Sequence, residues 1–105
     1  MSIIKISVIT ITYNAENVIM RTLDSVLKQT FSNIEHIIID GASKDSTLLA
    51  EREYESRSCS TNNGHEIKII SEPDKGLYDA MNKGIGKATG NYLVFLNAGD
   101  VFPSS

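Results

Sequence analysis

Short apolar runs recur along the chain, separated by stretches in which apolar residues return every three or four positions. Four runs stand out, at residues 6–12, 36–40, 67–71 and 92–96. All are short and rich in β-branched or aromatic residues, which favours strand over helix. Ile37 to Ile39 and Leu93 to Leu96 are apolar without alternation, the pattern of strands covered on both faces. Between the runs the period changes to that of a helix. Asn14 can cap a first helix whose Ile19, Leu23, Val26 and Leu27 share one face. Ser43 can cap a second, with Asp45 in its first turn, where the helix dipole favours an anion. That helix runs through Leu48 and Leu49 toward Tyr54, and the polar segment 56–64 reads as a surface loop. A third helix carries Leu77, Met81, Ile85 and Ala88 on one face, weakened by Gly84 and Gly86 and stopped near Gly90.

The predicted order is β-α-β-α-β-α-β, about four strands and three helices. Right-handed crossovers then give an α/β fold with helices flanking a largely parallel sheet. No repeat, low-complexity tract or internal domain boundary interrupts it, so residues 1–105 read as one unit. In such sheets a ligand sits outside the carboxyl ends of the strands, near the point where strand order reverses. The segments that leave the four runs are Thr12-Tyr13-Asn14, Asp40-Gly41-Ala42-Ser43, Ser71-Glu72-Pro73-Asp74-Lys75-Gly76 and Asn97-Ala98-Gly99-Asp100. All are polar, with glycine or acid in most. That coincidence points to a site.

Each segment has a functional and a plainer reading. Tyr13 can stack on a flat base and Thr12 can bond a nucleotide edge; alternatively Asn14 only caps a helix and Tyr13 only packs. Asp40 can accept from a base N–H, or can bond its own backbone in a turn before Gly41. Asp45 is read first as a helix-start residue. Lys75 is a point charge suited to a phosphate, with Gly76 allowing close approach, or the segment is a solvated turn. Asp79, on the first turn of the third helix, faces the same rim or merely complements the dipole. Asp100 is delivered to the rim by an apolar strand, a rigid way to place a ligand for a divalent ion, Mn²⁺ or Mg²⁺, that bridges a diphosphate. With one acid rather than two, a polar loop is the competing reading.

Composition narrows the field. The net charge of -3 disfavours a nucleic-acid binder with a broad basic surface. The single cysteine, Cys59, cannot form an internal disulfide or a zinc site, and its polar neighbours make it an exposed loop thiol. His36 and His65 lack partners at ligand spacing and read as structural or exposed. Gly84-Ile85-Gly86 falls within a helix, not between strand and helix, so it is no dinucleotide fingerprint. A P-loop sequence is absent. With no signal sequence or membrane-length apolar run, the expected location is cytoplasmic, with peripheral attachment to the inner face of a membrane open to the full protein.

These segments together resemble the N-terminal half of family 2 glycosyltransferases, which have the GT-A fold. The stretches that carry the resemblance are residues 7–14, 22–31, 38–47, 71–84 and 88–100, in the family's order and across nearly the whole chain. The resemblance implies inverting transfer of a sugar from a nucleotide-diphosphate sugar to an acceptor hydroxyl of a glycan or lipid-linked molecule, as in bacterial polysaccharide synthesis. Thr12, Tyr13 and Asn14 would then line the base pocket and Asp40 would bond the base. Lys75, Asp79 and Asn97 would belong to the donor site, and Asp100 would match the acidic segment that holds the divalent ion. There are two departures: the first continues the strand and changes little, and the second matters more. Ile11 stands where the family often has Pro, and Asn97 and Gly99 replace acids of that segment, as in a subtype written Leu-Asn-Ala-Gly-Asp.

In the family the general base lies well downstream of the acidic segment. No carboxylate here stands in that position, so none is assigned as catalytic. The expectation is a donor-binding half, truncated before its acceptor half, that binds nucleotide without transferring sugar. A sheet cut after its fourth strand would expose apolar surface and favour a homodimer. Two other classes compete. A phospho-receiver domain would need an acidic pair after the first strand, where Thr12-Tyr13-Asn14 stands. A non-catalytic nucleotide-binding module is the other.

Overall fold

The β-branched run at the start of the chain forms the strand on which the remainder is built. The structure is a computed structural model, and it describes residues 4–102. Within them lie β1 (Ile6–Thr12), α1 (Ile19–Leu27), β2 (Ile34–Asp40), α2 (Thr47–Thr61), β3 (Glu66–Ser71), α3 (Leu77–Lys87) and β4 (Tyr92–Phe95). The four strands form one sheet in the order β3-β2-β1-β4. Every pairing is parallel. The expected fold class is therefore the observed one.

The chain steps outward from β1 to β2 to β3, then returns to the far side of β1 for β4. Right-handed crossovers require the return to cover the opposite face. That is where α3 lies: its Ala80 packs with Ile9, Ile37 and Ile39. Helices α1 and α2 cover the other face through Ile19, Leu23 and Tyr54 around Ile38. A third cluster joins Val8, Val26, Ile34 and Leu96. Strand order reverses between β1 and β4, so the crevice at their carboxyl ends is the switch point. The register aligns Thr12 with Asp40 and Asp40 with Ser71, which levels three strand ends into one rim.

Every residue of β2 is buried, including three polar ones. His36 bonds Tyr54 Oη through Nδ1 and Thr10 Oγ1 through Nε2, each at 2.7 Å. Burial pushes its imidazole down to about 3, with the His65 charge adding to it, so the ring is neutral and structural. Glu35 lies at the amino end of the sheet. It accepts from Ser7 Oγ at 2.8 Å, Thr89 N at 2.9 Å, Thr89 Oγ1 at 2.8 Å and Lys68 Nζ at 2.8 Å. Burial alone would raise this carboxyl; the Lys68, Thr89 and Ser7 bonds outweigh it and hold it down at about 2. The network ties β1, β2, β3 and the segment before β4 together at the end away from the rim.

Several expectations are corrected. Asn14 does not cap α1: the helix starts at Ile19, and Asn14 adopts φ 47° with its side chain accepting from Lys44 N at 2.7 Å. Ser43 does not cap α2, whose N-cap is Ser46; Asp45 precedes the helix and accepts from Thr47 N at 3.0 Å. The expected loop from residue 56 is helical through Thr61, so Cys59, though exposed, sits in a helix. Helix α3 docks through Ala80 and Gly84, while Leu77 and Ile85 are 59% and 45% exposed. It ends at Lys87, before Gly90. Strand β4 is not covered on both faces: Tyr92, Leu93 and Phe95 are exposed at the sheet edge.

Candidate functional site

Four loops leave the carboxyl ends of the strands; those after β1, β2 and β3 are bonded to one another, and the fourth is tied to β1 and α1. Gly41 N donates to Thr12 O at 3.0 Å, and Glu72 N to Asp40 O at 3.0 Å. Asn14 N donates to Ser43 Oγ at 2.9 Å. With the Asn14–Lys44 bond, the β1 and β2 loops are locked in both directions. On the other side, Leu96 N donates to Ile9 O at 2.9 Å, which carries the β4 exit alongside β1.

Asp40 anchors the centre of the rim. Its carboxylate accepts from Ser43 N at 2.8 Å, Ser43 Oγ at 2.6 Å and Ser71 Oγ at 3.0 Å. It is fully buried, so its bonds in this structure are those of a turn-forming Asp. A carboxylate offers about four acceptor sites, so three donors leave one unfilled. The turn also places Ala42 at φ 61°, a region that suits glycine.

Tyr13 is half exposed, and its ring lies over Gly41 beside Asp74. A Cβ at Gly41 would meet Asp74 Oδ2 at 3.0 Å and Tyr13 Cδ1 at 3.4 Å, so only hydrogen fits under the pair without a shift. A cleft of about 290 Å³ opens there, lined by Ile11, Thr12, Tyr13, Asp74, Gly76, Leu77 and Ala80. An aromatic ring beside a carboxylate in a partly apolar cleft is suited to a flat polar heterocycle. Asp74 was not singled out from the sequence. Its signal was its place beside Gly76 after β3. A larger groove of about 570 Å³ runs along the far end of α1, lined by Arg21, Asp24, Ser25, Lys28, Gln29, Val101 and Phe102.

The β3 loop closes the cleft. Asp79 Oδ2 accepts from Lys75 N at 2.9 Å, and Lys83 Nζ lies 3.6 Å from the same oxygen. The Lys75 N–H and the Lys83 charge hold the Asp79 carboxyl below its usual range. Asp79 thus orders the loop that carries Lys75, an exposed residue. The β4 loop turns at Asn97–Asp100: Asp100 N donates to Asn97 O at 2.9 Å, and Asn97 N to Asp100 Oδ2 at 3.2 Å. Thr22 of α1 pins this turn, donating to Asp100 O at 2.6 Å and accepting from Gly99 N at 2.8 Å.

Among the described residues no group of three or more His, Cys, Asp or Glu side chains could hold a metal ion by itself. Asp100 offers one exposed carboxylate, with one oxygen turned back toward Asn97 N. That fits an ion such as Mg²⁺ or Mn²⁺, which takes one or two carboxylates plus phosphate oxygens, and not a closed protein cage. The rim therefore brings Thr12, Tyr13, Asn14, Asp40, Lys75 and Asp79 together around the β1–β3 exits. Asn97 and Asp100 stand across the switch point at the β4 exit. Glu51 went unnoticed in the sequence: it is fully buried on α2, and neither of its carboxyl oxygens has a hydrogen-bond partner.

An all-parallel sheet with its loops gathered at the switch point defines an open α/β protein with a ligand crevice at the carboxyl ends of its strands. The family model of Glycosyl transferase family 2 matches residues 7–105, and the chain belongs to that family. Its fold is that of the GT-A glycosyltransferases. It is 38% identical over 94 residues to a PGL/p-HBAD biosynthesis glycosyltransferase of Mycobacterium bovis, covering 90% of this chain and 35% of the relative. It is 33% identical to glycosyltransferase GlyA of Streptococcus pneumoniae, covering 91% of this chain and 13% of that protein. Among solved structures, the mannosyltransferase PcManGT of Pyrobaculum calidifontis, in complex with GDP-Man and Mn²⁺, superposes with a TM-score of 0.81 at 28% identity. The match covers 96% of this chain and 29% of that one. TarS of S. aureus in complex with UDP-GlcNAc gives 0.75 at 28% identity, covering 92% and 27%. The chain thus spans about a third or less of the proteins it matches.

Proposed function

We propose that residues 1–105 are the donor-binding half of an inverting glycosyltransferase that takes a nucleotide-diphosphate sugar. The observation that carries this reading is the gathering of four strand-end loops at the switch point of a glycosyl transferase family 2 sheet, around Tyr13, Asp40 and Asp100. Two structural neighbours hold nucleotide sugars, one of them with Mn²⁺, which supports a donor of that class.

In this reading Tyr13 stacks on the base, with Thr12 and Asn14 shaping the pocket, and Asp40 accepts a base N–H at its remaining lone pair. Lys75 supplies positive charge toward the phosphates, and Asp79 orders its loop. Asn97 and Asp100 face the diphosphate from the β4 side. A divalent cation held there by Asp100 supplies charge neutralisation of the departing diphosphate. The acceptor hydroxyl must be deprotonated for in-line attack, and no residue of this chain is assigned that task. The isolated 105 residues are expected to bind donor without transferring sugar.

The remaining parts of the proposal concern the whole protein. It acts on a glycan or lipid-linked acceptor in polysaccharide synthesis, in the cytoplasm or at the inner membrane face. No helix among the described residues is long and apolar enough to cross a membrane.

Calorimetry with UDP, GDP and dTDP, each with and without Mn²⁺ or Mg²⁺, tests the donor site. Binding of at least one diphosphate, strengthened by the metal and lost in Asp100→Ala, is expected. Absence of binding to all three nucleotides under every metal condition would contradict it.

A further inference from the structure

Behind the rim, α2 presents an acid that the donor-site reading does not use. Glu51 is fully buried and neither carboxyl oxygen has a hydrogen-bond partner. An isolated ionised carboxylate in that position is very costly. The Asp40 carboxylate lies close enough to act on it, though no bond of ordinary geometry joins them in this structure. Two buried carboxyls side by side cannot both be ionised at moderate cost, and one keeps a proton.

The surroundings decide which. Asp40 receives three donors, from Ser43 N, Ser43 Oγ and Ser71 Oγ. Glu51 receives none. A second polar atom beside Asp40 is also left over: Thr12 Oγ1 is buried without a partner, on the neighbouring strand and in register with Asp40. Val8, Thr10 and Thr12 alternate onto the face that α1 and α2 cover, as do His36, Ile38 and Asp40.

We propose that Glu51 is a positioning residue for the nucleotide site: a carboxylic acid kept neutral behind Asp40, so that a single negative charge stands at the centre of the rim and the fourth acceptor site of Asp40 is left for the base. This rests on the donor-site reading, because the group it positions is the one assigned to the base. With Glu51 neutral, Asp40 stays bonded to Ser43 and Ser71 and the β2 loop keeps its shape. If Glu51 loses its proton, two buried negative charges face each other and the loop must open.

The other charges around Glu51 do not change this. Asp45, in the turn before α2, adds repulsion, and Arg52 on α2 offsets part of it. On the elements packed against α2, Asp24 of α1 is paired with Arg57 at 2.6 Å and Lys68 of β3 with Glu35 at 2.8 Å. His36 of β2 is neutral and bonded to Thr10 and Tyr54. Burial pushes the Glu51 carboxyl up to about 8, with the Asp40 charge reinforcing it.

The test is nucleotide affinity by calorimetry with UDP and GDP in the presence of Mg²⁺, from about pH 6.5 to about pH 9, on the wild-type chain and Glu51→Gln. If only the neutral form is binding-competent, wild-type affinity falls about tenfold between about pH 7 and about pH 9. Glu51→Gln keeps the position neutral, so its affinity at about pH 7 stays within about threefold of wild type and is flat with pH. Infrared spectroscopy reads the proton without nucleotide: a protonated-carboxyl carbonyl stretch at neutral pH, lost in Glu51→Gln, is expected. Should Glu51→Gln fail to fold, the wild-type pH profile and infrared band decide alone. A wild-type affinity flat over the whole range, or absence of the band, overturns the positioning role and leaves the donor site standing. Absence of nucleotide binding at every pH, with the band present, overturns the donor-site reading and the positioning role with it.

Discussion

Two glycines of α3 lie two residues apart and should respond to alanine with opposite signs. Gly84 faces the sheet, and a Cβ there would come within 2.5 Å of Ile9 Cγ2, a side chain that is itself fully buried. Gly86 has nothing within 4 Å of its virtual Cβ and is exposed. Replacing glycine by alanine within a helix gains about 0.5–1 kcal/mol from backbone entropy. At Gly86, near the helix end, about 0.5 kcal/mol of that gain should appear unopposed. At Gly84 the same gain is set against overpacking, which costs about 1–3 kcal/mol because Ile9 is held by Ile37, Ile39 and Ala80 and has no room to withdraw. The net expectation is a loss of about 1–2 kcal/mol for Gly84→Ala, or roughly 4–16 °C in Tm for a domain of this size. Urea unfolding followed by far-ultraviolet circular dichroism measures both variants, with unchanged m-values showing that the comparison is between like states. Equal stabilisation by the two substitutions would refute the docking of α3 on Ile9.

Further expectations follow from single residues. Glu35 is held below its ordinary value of 4.5, at about 2, so the stability it contributes is full above about pH 4.5 and is lost as pH falls through about 2. Glu51 is raised from 4.5 to about 8, so its neutral form supports the fold at low pH and that support is lost as pH rises from about 4.5 through about 8. Stability against pH, measured by urea titration, should therefore lose its acid limb in Glu35→Gln and its decline between about pH 4.5 and about pH 8 in Glu51→Gln. Ala42→Gly should stabilise the chain by about 0.5–1 kcal/mol, since φ 61° suits glycine, and a lowered Tm would contradict the turn geometry. Thr22→Val should cost about 1–3 kcal/mol by orphaning Gly99 N and Asp100 O. The same variant should weaken the metal-dependent part of nucleotide binding, measured by calorimetry.

The strands were legible because β-branched runs state their own period, and β1 has the same bounds in sequence and structure. The helices were less so. The buried stripe of α2 is Thr47, Glu51, Tyr54 and Ser58, mostly polar, so no apolar period announces that the helix continues to Thr61. In α3 the apolar stripe misleads. Small residues, Ala80 and Gly84, make the close contact with the sheet, and Leu77 and Ile85 are left outside. Strand β4 is apolar yet exposed because it is the edge of the described sheet. Asn14 could not be assigned from a local rule, since its partner, Lys44 N, lies thirty residues away in sequence. For the rim, the polar segments after each strand were enough to locate it, because parallel topology brings strand ends together. The placement of Asp74 over Gly41 and the burial of Glu51 depend on contacts distant in sequence that no spacing encodes.

The most direct test of the donor site is residue-resolved: amide chemical-shift mapping of the chain with UDP or GDP and Mg²⁺. Shifts should concentrate at Thr12, Tyr13 and Asn14, at Asp40 to Ser43, at Asp74 to Gly76, and at Asn97 to Asp100. The Glu35–Thr89 end of the sheet should remain still. Shifts gathered instead along Arg21, Lys28 and Phe102, or none at saturating nucleotide, would contradict a donor site at the carboxyl rim.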